Sequence, residues 1–119
     1  MSNPAISPTP AQLQAFAEKG PAGAIVMVNL LKYRDREAYM RYGAVAAKCV
    51  AARGGSIVWM GKQALVFIGG SEQDWDEVVC VRYPSRQKFL DMIADPEYLA
   101  AIPHRDAGLE RTALLCCEG

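Results

Sequence analysis

A single histidine, His104, serves a chain of 119 residues. One imidazole excludes the histidine clusters that hold most catalytic zinc. The four cysteines do not replace them, because Cys49, Cys80, Cys116 and Cys117 form no Cys-x-x-Cys pair. Net charge is lacking too. Lys+Arg and Asp+Glu balance at 13 each, which removes the electrostatic footprint of a nucleic-acid or anionic-membrane binder. No apolar stretch approaches the ~18 residues of a membrane span. The N-terminus lacks the basic segment and apolar run of a secretory signal. No glycine-rich phosphate loop is present, and Gly69-Gly70-Ser71 reads as a turn. No Ser-His-Asp order stands in a recognisable context. These absences lead us to expect a cytoplasmic protein with no metal, no organic cofactor, no nucleic-acid partner and no membrane contact.

Hydrophobic residues are plentiful, at 51%. A chain of this size forms one domain and buries roughly two-thirds of the surface that its unfolded form exposes. All four cysteines lie in apolar, regular segments and read as buried reduced thiols. Cys116 and Cys117 are strand neighbours that point to opposite faces, which disfavours a disulfide between them.

Residues 1–23 read as an arm and a short helix, and 24–119 as the folded domain. Pro4, Pro8 and Pro10 punctuate an arm expected to be mobile. Thr9-Pro10 opens a helix over 11–19, and Gly20-Pro21 closes it. Residues 24–32 form a strand whose apolar run is nearly continuous, so both of its faces are covered. Asp35 caps a helix from Arg36 to Gly54-Gly55, with Ala38, Tyr42, Val45, Ala46, Cys49 and Val50 on its buried stripe. Residues 56–70 carry a long strand, bent or paired as a hairpin about Gly61-Lys62-Gln63, with Ile57 to Trp59 before the bend and Leu65 to Ile68 after it. Another strand spans 75–83. Ser85 caps the next helix, Asp95-Pro96 restarts a short one, Pro103 stops that, and 109–117 is the last strand.

The order strand, helix, strand, strand, helix, strand is the split β-α-β, ferredoxin-like α+β plan. It has a four-stranded antiparallel sheet with two main helices on one face and a short N-terminal helix. Val26, Val28 and Leu30 alternate with Ile25, Met27 and Leu31, so both sheet faces are apolar while only one has helices. The simplest cover for the other is a second subunit, which predicts a homodimer through the sheet face.

Several phrases together carry a likeness. They are Val28-Asn29-Leu30-Leu31-Lys32-Tyr33-Arg34, Trp75-Asp76, Arg82-Tyr83-Pro84-Ser85-Arg86, Asp95-Pro96-Glu97-Tyr98, and His104-Arg105 before Leu109. The chain resembles the bacterial family called domain of unknown function 1330, in the dimeric α+β barrel superfamily, over roughly residues 24–117. The resemblance implies a ferredoxin-like protomer and sheets packed face to face in a dimer. It implies no reaction. Related branches resemble cofactor-free oxygenases, small-lactone isomerases, dehalogenating or dye-decolorising enzymes and stress-response proteins, a kinship of fold alone.

The chemistry-bearing residues each read two ways. His104 is the one group that titrates near neutrality and serves as an acid/base, or it is a surface histidine bonded to backbone. Asn29 interrupts an apolar strand and bonds either a ligand or its neighbours. Arg82 and Arg105 hold an anion, or emerge at a rim and pair with acids. Trp75 walls a pocket or packs at the sheet edge. Tyr42, three residues from Tyr39 on one helix side, offers a phenol to a ligand or packs in the core. Sheet strands this aliphatic do not suit RNA. The expected function is binding of a small, weakly polar or anionic metabolite in a pocket rimmed by Asn29, Tyr42, Trp75, Arg82 and Arg105. His104 would be the catalytic group of a cofactor-free enzyme for proton transfer, isomerisation or oxidation. The alternative is a non-catalytic dimeric binding or stress-response module.

Overall fold

The apolar run before Tyr33 forms the first strand, β1 (Ile25–Tyr33), at an inner position of a four-stranded antiparallel sheet. The computed structural model describes residues 3–119, so Met1 and Ser2 of the expected arm lie outside the described residues. Helix α1 (Pro10–Lys19) comes first, and α2 (Arg36–Ala52) follows β1. Then come β2 (Ser56–Lys62), β3 (Glu77–Tyr83), α3 (Arg86–Ile93), α4 (Pro96–Gly108) and β4 (Leu109–Glu118). The spatial order β2-β3-β1-β4 is the ferredoxin-like arrangement.

Polar residues set the helix starts. The Thr9 hydroxyl accepts from Gln12 N while the Gln12 side chain accepts from Thr9 N, a reciprocal capping box. Asp35, Ser85 and Asp95 cap α2, α3 and α4 through backbone amides two or three residues on.

Register sorts the sheet into two faces. Ile25, Met27, Asn29 and Leu31 of β1 lie opposite Tyr83, Val81, Val79 and Glu77 of β3. All four helices pack on this face, through Phe16, Tyr42, Phe89 and Tyr98 among others. Ile25, Leu31 and Leu109 are completely buried there. On the other face Val26, Val28 and Leu30 pair with Arg82, Cys80 and Val78 of β3, and with Cys117, Leu115 and Ala113 of β4. Trp59 of β2 extends that face beside Cys80, after a bulge at Val58.

Four expectations need correction. The N-terminal segment is docked: Ile6 is buried, and Ala5 O accepts from Thr112 N on the edge strand β4. Leu65 to Ile68 form no strand. Gln63 N donates to Asp76 O, so the β2–β3 hairpin closes there and leaves residues 64–75 as a loop. The Gln63 side chain braces that loop at Gln73 O and Trp75 N. Pro103 does not end a helix but sits inside α4. Its missing N–H leaves the carbonyl of Leu99, four residues back, without its helical donor, and Leu99 itself is half exposed. Finally, only Cys49 is fully buried, whereas Cys116 and Cys117 are exposed.

One backbone approach fixes how α2 and α4 meet. A Cβ on Gly108 would fall 2.6 Å from Tyr39 N, so only glycine allows this contact. Gly108 O in turn accepts from Arg34 N and Asp35 N, which anchors the α2 N-terminus.

Candidate functional site

Helices α2 and α4 span the sheet without filling the space beneath them. A cavity of about 540 Å³ remains between β1, β2 and β3 below and α2 and α4 above. Its walls are apolar: Met27, Val79 and Val81 from the sheet, Ala46 and Val50 from α2, and Met92 from α3. Exposed Met40, Ile57 and Met60 form its mouth at the β2 edge. A second space of about 560 Å³ lies on the β4 side beneath α1 and the N-terminal segment. The two share Met27, Phe89, Tyr98, Leu114 and Arg105.

Few polar groups converge on the first cavity. Asn29 Nδ2 donates to Val79 O at 3.1 Å and to Met27 O at 3.3 Å. Among the described residues its Oδ1 has no partner, which leaves an acceptor on the cavity wall. The Tyr42 and Tyr98 hydroxyls share a hydrogen bond of 2.8 Å. Tyr33 donates to Glu77 Oε1 at 2.6 Å. Arg105 donates to Ile6 O and reaches both spaces.

Burial is the main cause of the phenols' electrostatics. It pushes Tyr39 up to about 12 and moves Tyr33, Tyr42, Tyr83 and Tyr98 upward as well. Glu77 adds to the rise at Tyr33 through their hydrogen bond and its charge. Tyr39 lies within the field of both Arg105, which lowers its value, and Glu77, which raises it. The two charges therefore flank one end of the cavity.

The structure gathers Asn29, Tyr42 and Arg105 around this space. It separates the other three candidates from it. Arg82 is exposed on the opposite sheet face, where strand parity puts it beside Val78 and Cys80. Trp75 lies in the β2–β3 loop with the Arg111 guanidinium 4.1 Å above its ring. His104 is exposed on α4 and lines neither space, because Pro103 does not release the chain into a loop.

Sequence reasoning passed over Glu77. The signal was available: Glu77 shares strand parity with Val79, Val81 and Tyr83, so a carboxylate falls on the covered face. It also passed over one possible ligand set. Cys49, Asp95 and Glu97 can bring their ligand atoms within 4.8 Å of one another. Asp95 is committed elsewhere, however. One oxygen caps α4 and the other pairs with Arg53 at 3.1 Å, so a cation would have to displace the guanidinium.

Sheet order, helix placement and cleft define a ferredoxin-like α+β protein with its candidate site beneath the helices. The chain belongs to the family called domain of unknown function (DUF1330), whose model matches residues 24–119. It is similar in structure to a protein of unknown function from Rhodopseudomonas palustris, with a TM-score of 0.90 and 34% identity over 96% of this chain and 95% of that one. At 14% identity it shares the fold of a Dabb family protein from Mesorhizobium loti, with a TM-score of 0.61 over 82% and 97% of the two chains. At 16% identity it shares the fold of SnoaB, a cofactor-independent oxygenase from Streptomyces nogalater, with a TM-score of 0.55 over 82% and 96%. No curated protein matches the sequence. No helix among the described residues is long and apolar enough to cross a membrane.

Proposed function

We propose that the cleft between sheet and helices binds a small, largely apolar metabolite and that the protein is a cofactor-free enzyme acting by proton transfer or isomerisation. The observation that carries this reading is the cavity of about 540 Å³, apolar in its walls, on which Asn29, Tyr42, Glu77 and Arg105 converge. Small-molecule sites have this character: apolar area for affinity and a few placed polar groups for orientation. The acid/base role expected of His104 passes in this proposal to Glu77, which faces the cavity as His104 does not. Arg105 is the group that holds a developing anion. SnoaB, described as a cofactor-independent oxygenase, supports the idea that this fold can work without a cofactor. We further propose that the protein acts in the cytoplasm as a homodimer, with a second copy covering the open sheet face.

Thermal-shift screening of small carbonyl acids, lactones and phenols tests the reading. A true ligand raises the melting temperature by mass action. The same ligand should lose its effect on Ala46→Phe, which fills the cavity from α2. A ligand that stabilises this variant equally binds elsewhere and removes the cleft from the proposal. Elemental analysis of protein purified without an affinity tag checks the cofactor-free part, and stoichiometric zinc or iron would overturn it.

A further inference from the structure

Glu77 is 7% exposed, the one charged residue among the buried positions. A buried carboxylate normally has a cation beside it, because an unpaired charge is costly to desolvate. Here none lies within ion-pair distance. Among the described residues the ion pairs join Lys32 to Asp74 and Asp76, and Arg53 to Asp95. Tyr33 donates to one Glu77 oxygen, and the second has no partner. Lys62, directly across in β2, is exposed and forms no ion pair with it. Glu77 lines the cavity. So a carboxylate on a nine-tenths buried residue lines an apolar space with one of its oxygens free of any protein donor.

Resting on the reading of this cleft as a small-molecule site, we infer that its ligand is an aromatic or enolic hydroxyl compound whose O–H donates to the free oxygen of Glu77. Three features select this class. Aromatic side chains wall the cavity, among them Tyr39, Tyr42 and Phe89, and suit a flat ring. The oxygen that Tyr33 leaves free can accept an O–H donor. Arg105, at the same end of the cavity, disfavours an ammonium group and can donate to an acceptor on the ligand. When the O–H proton moves to Glu77, the electron pair stays on the ligand oxygen as an enolate or phenolate. Glu77, now a carboxylic acid, can return that proton to carbon. The net result is an isomerisation with no oxidant or reductant.

The probe is 4-nitrophenol, whose ionised form alone is yellow, with nitrobenzene as the hydroxyl-free analogue. The test runs at a pH where half of the free phenol is ionised. Bound by its O–H to a carboxylate, the probe is held neutral, so adding wild-type protein should bleach the yellow band. Nitrobenzene should bind more weakly by about tenfold or more, the scale of a hydrogen bond to a charged group. Glu77→Gln, checked for an unchanged melting temperature, should abolish bleaching and weaken 4-nitrophenol by a similar factor while leaving nitrobenzene unaffected. The comparison of the two probes on wild-type protein stands even if the variant does not fold. Nitrobenzene binding as tightly as 4-nitrophenol would overturn the role of Glu77 and leave the cleft intact. A deepened yellow would do the same by assigning the oxygen to Arg105, and tighter binding of benzylamine would replace the hydroxyl class with a cation. Failure of all three probes to bind would overturn the inference and the cleft reading together.

Discussion

At the scale of residues, the cleft is organised by phenols. The chain has five tyrosines, at positions 33, 39, 42, 83 and 98. All five are shifted above the ordinary value of 10.0, with burial the leading cause in each. A raised phenol value stabilises the folded state fully below pH 10, where both states are protonated. That stability is lost as the pH climbs through the folded value, because the unfolded chain has already released its protons. For Tyr39, pushed up to about 12, the stabilisation is lost progressively from pH 10 and has fallen by about 2 kcal/mol at pH 12. We therefore expect the native protein to show almost no phenolate absorption at pH 10.5. Ionisation should then come in one steep step that coincides with loss of helical circular dichroism. Gradual titration of several tyrosines in folded protein would show the cleft to be wetter than its walls imply. Parts of this site were legible in sequence. Asn29 and Tyr42 stood out as a polar break in an apolar strand and a phenol on a helix stripe. Glu77 was not weighed, although it lies two residues inside the strand expected over 75–83 and shares parity with Val79 and Val81. His104 was favoured because chemistry at neutral pH draws attention to imidazole, yet no sequence pattern says which side of α4 faces the sheet.

At the scale of elements, periodicity and caps located most helices and strands. Asp35, Ser85 and Asp95 were each recognised as caps and each accepts an amide bond. The failures came where local rules compete with tertiary contacts. Leu65 to Ile68 have the composition of a strand, but β3 offers β2 a better partner, and the segment is left in the loop with Phe67 91% exposed. Pro103 carries a stop signal, yet buried Tyr98 and Ala101 hold α4 in place around it. Helix α1 shows how one side chain ties an element down. It has no fully buried residue, and its moorings are Phe16, which packs on Phe89 with ring centroids 5.3 Å apart, and Arg86. The Arg86 guanidinium donates to Phe16 O and Ala17 O in the last turn of α1 and to Pro21 O just beyond it, so it ties down the end of the helix. Arg86→Ala should cost about 1–3 kcal/mol, the scale of charged hydrogen bonds lost to orphaned carbonyls. It should also speed amide hydrogen exchange across Pro10–Lys19 well before it affects β1. Uniform acceleration over the whole chain would mean that α1 is integral to the global fold and not a latched cover.

At the scale of the whole molecule, the unresolved demand is the open sheet face. Val26, Val28 and Leu30 run along its central strand with Val78 and Cys80 on one side and Ala113 and Leu115 on the other. Strand spacings of about 4.8 Å and rises of about 3.3 Å give four strands of seven residues a projected area on the order of 400 Å². An apolar patch of that size already marks an interaction surface on most proteins. A standard interface needs about 800 Å² from each partner. The exposed apolar side chains beyond the face, Trp59 on β2 and Phe67 and Ile68 in the loop, can supply the difference. A second copy is the economical occupant, because two-fold symmetry satisfies both faces with one contact. We expect light scattering at micromolar concentration to report twice the 13.0 kDa chain mass. Val28→Lys should then give a folded monomer. Val28 lies between Cys80 and Leu115 at the centre of the face, where a lysine would be buried without a counter-charge in the dimer but free to reach water in the monomer. Wild-type protein that scatters as a monomer would leave the face uncovered and require a different partner. A Val28→Lys variant that stays dimeric would move the interface off the sheet, to the β2 edge and its apolar loop.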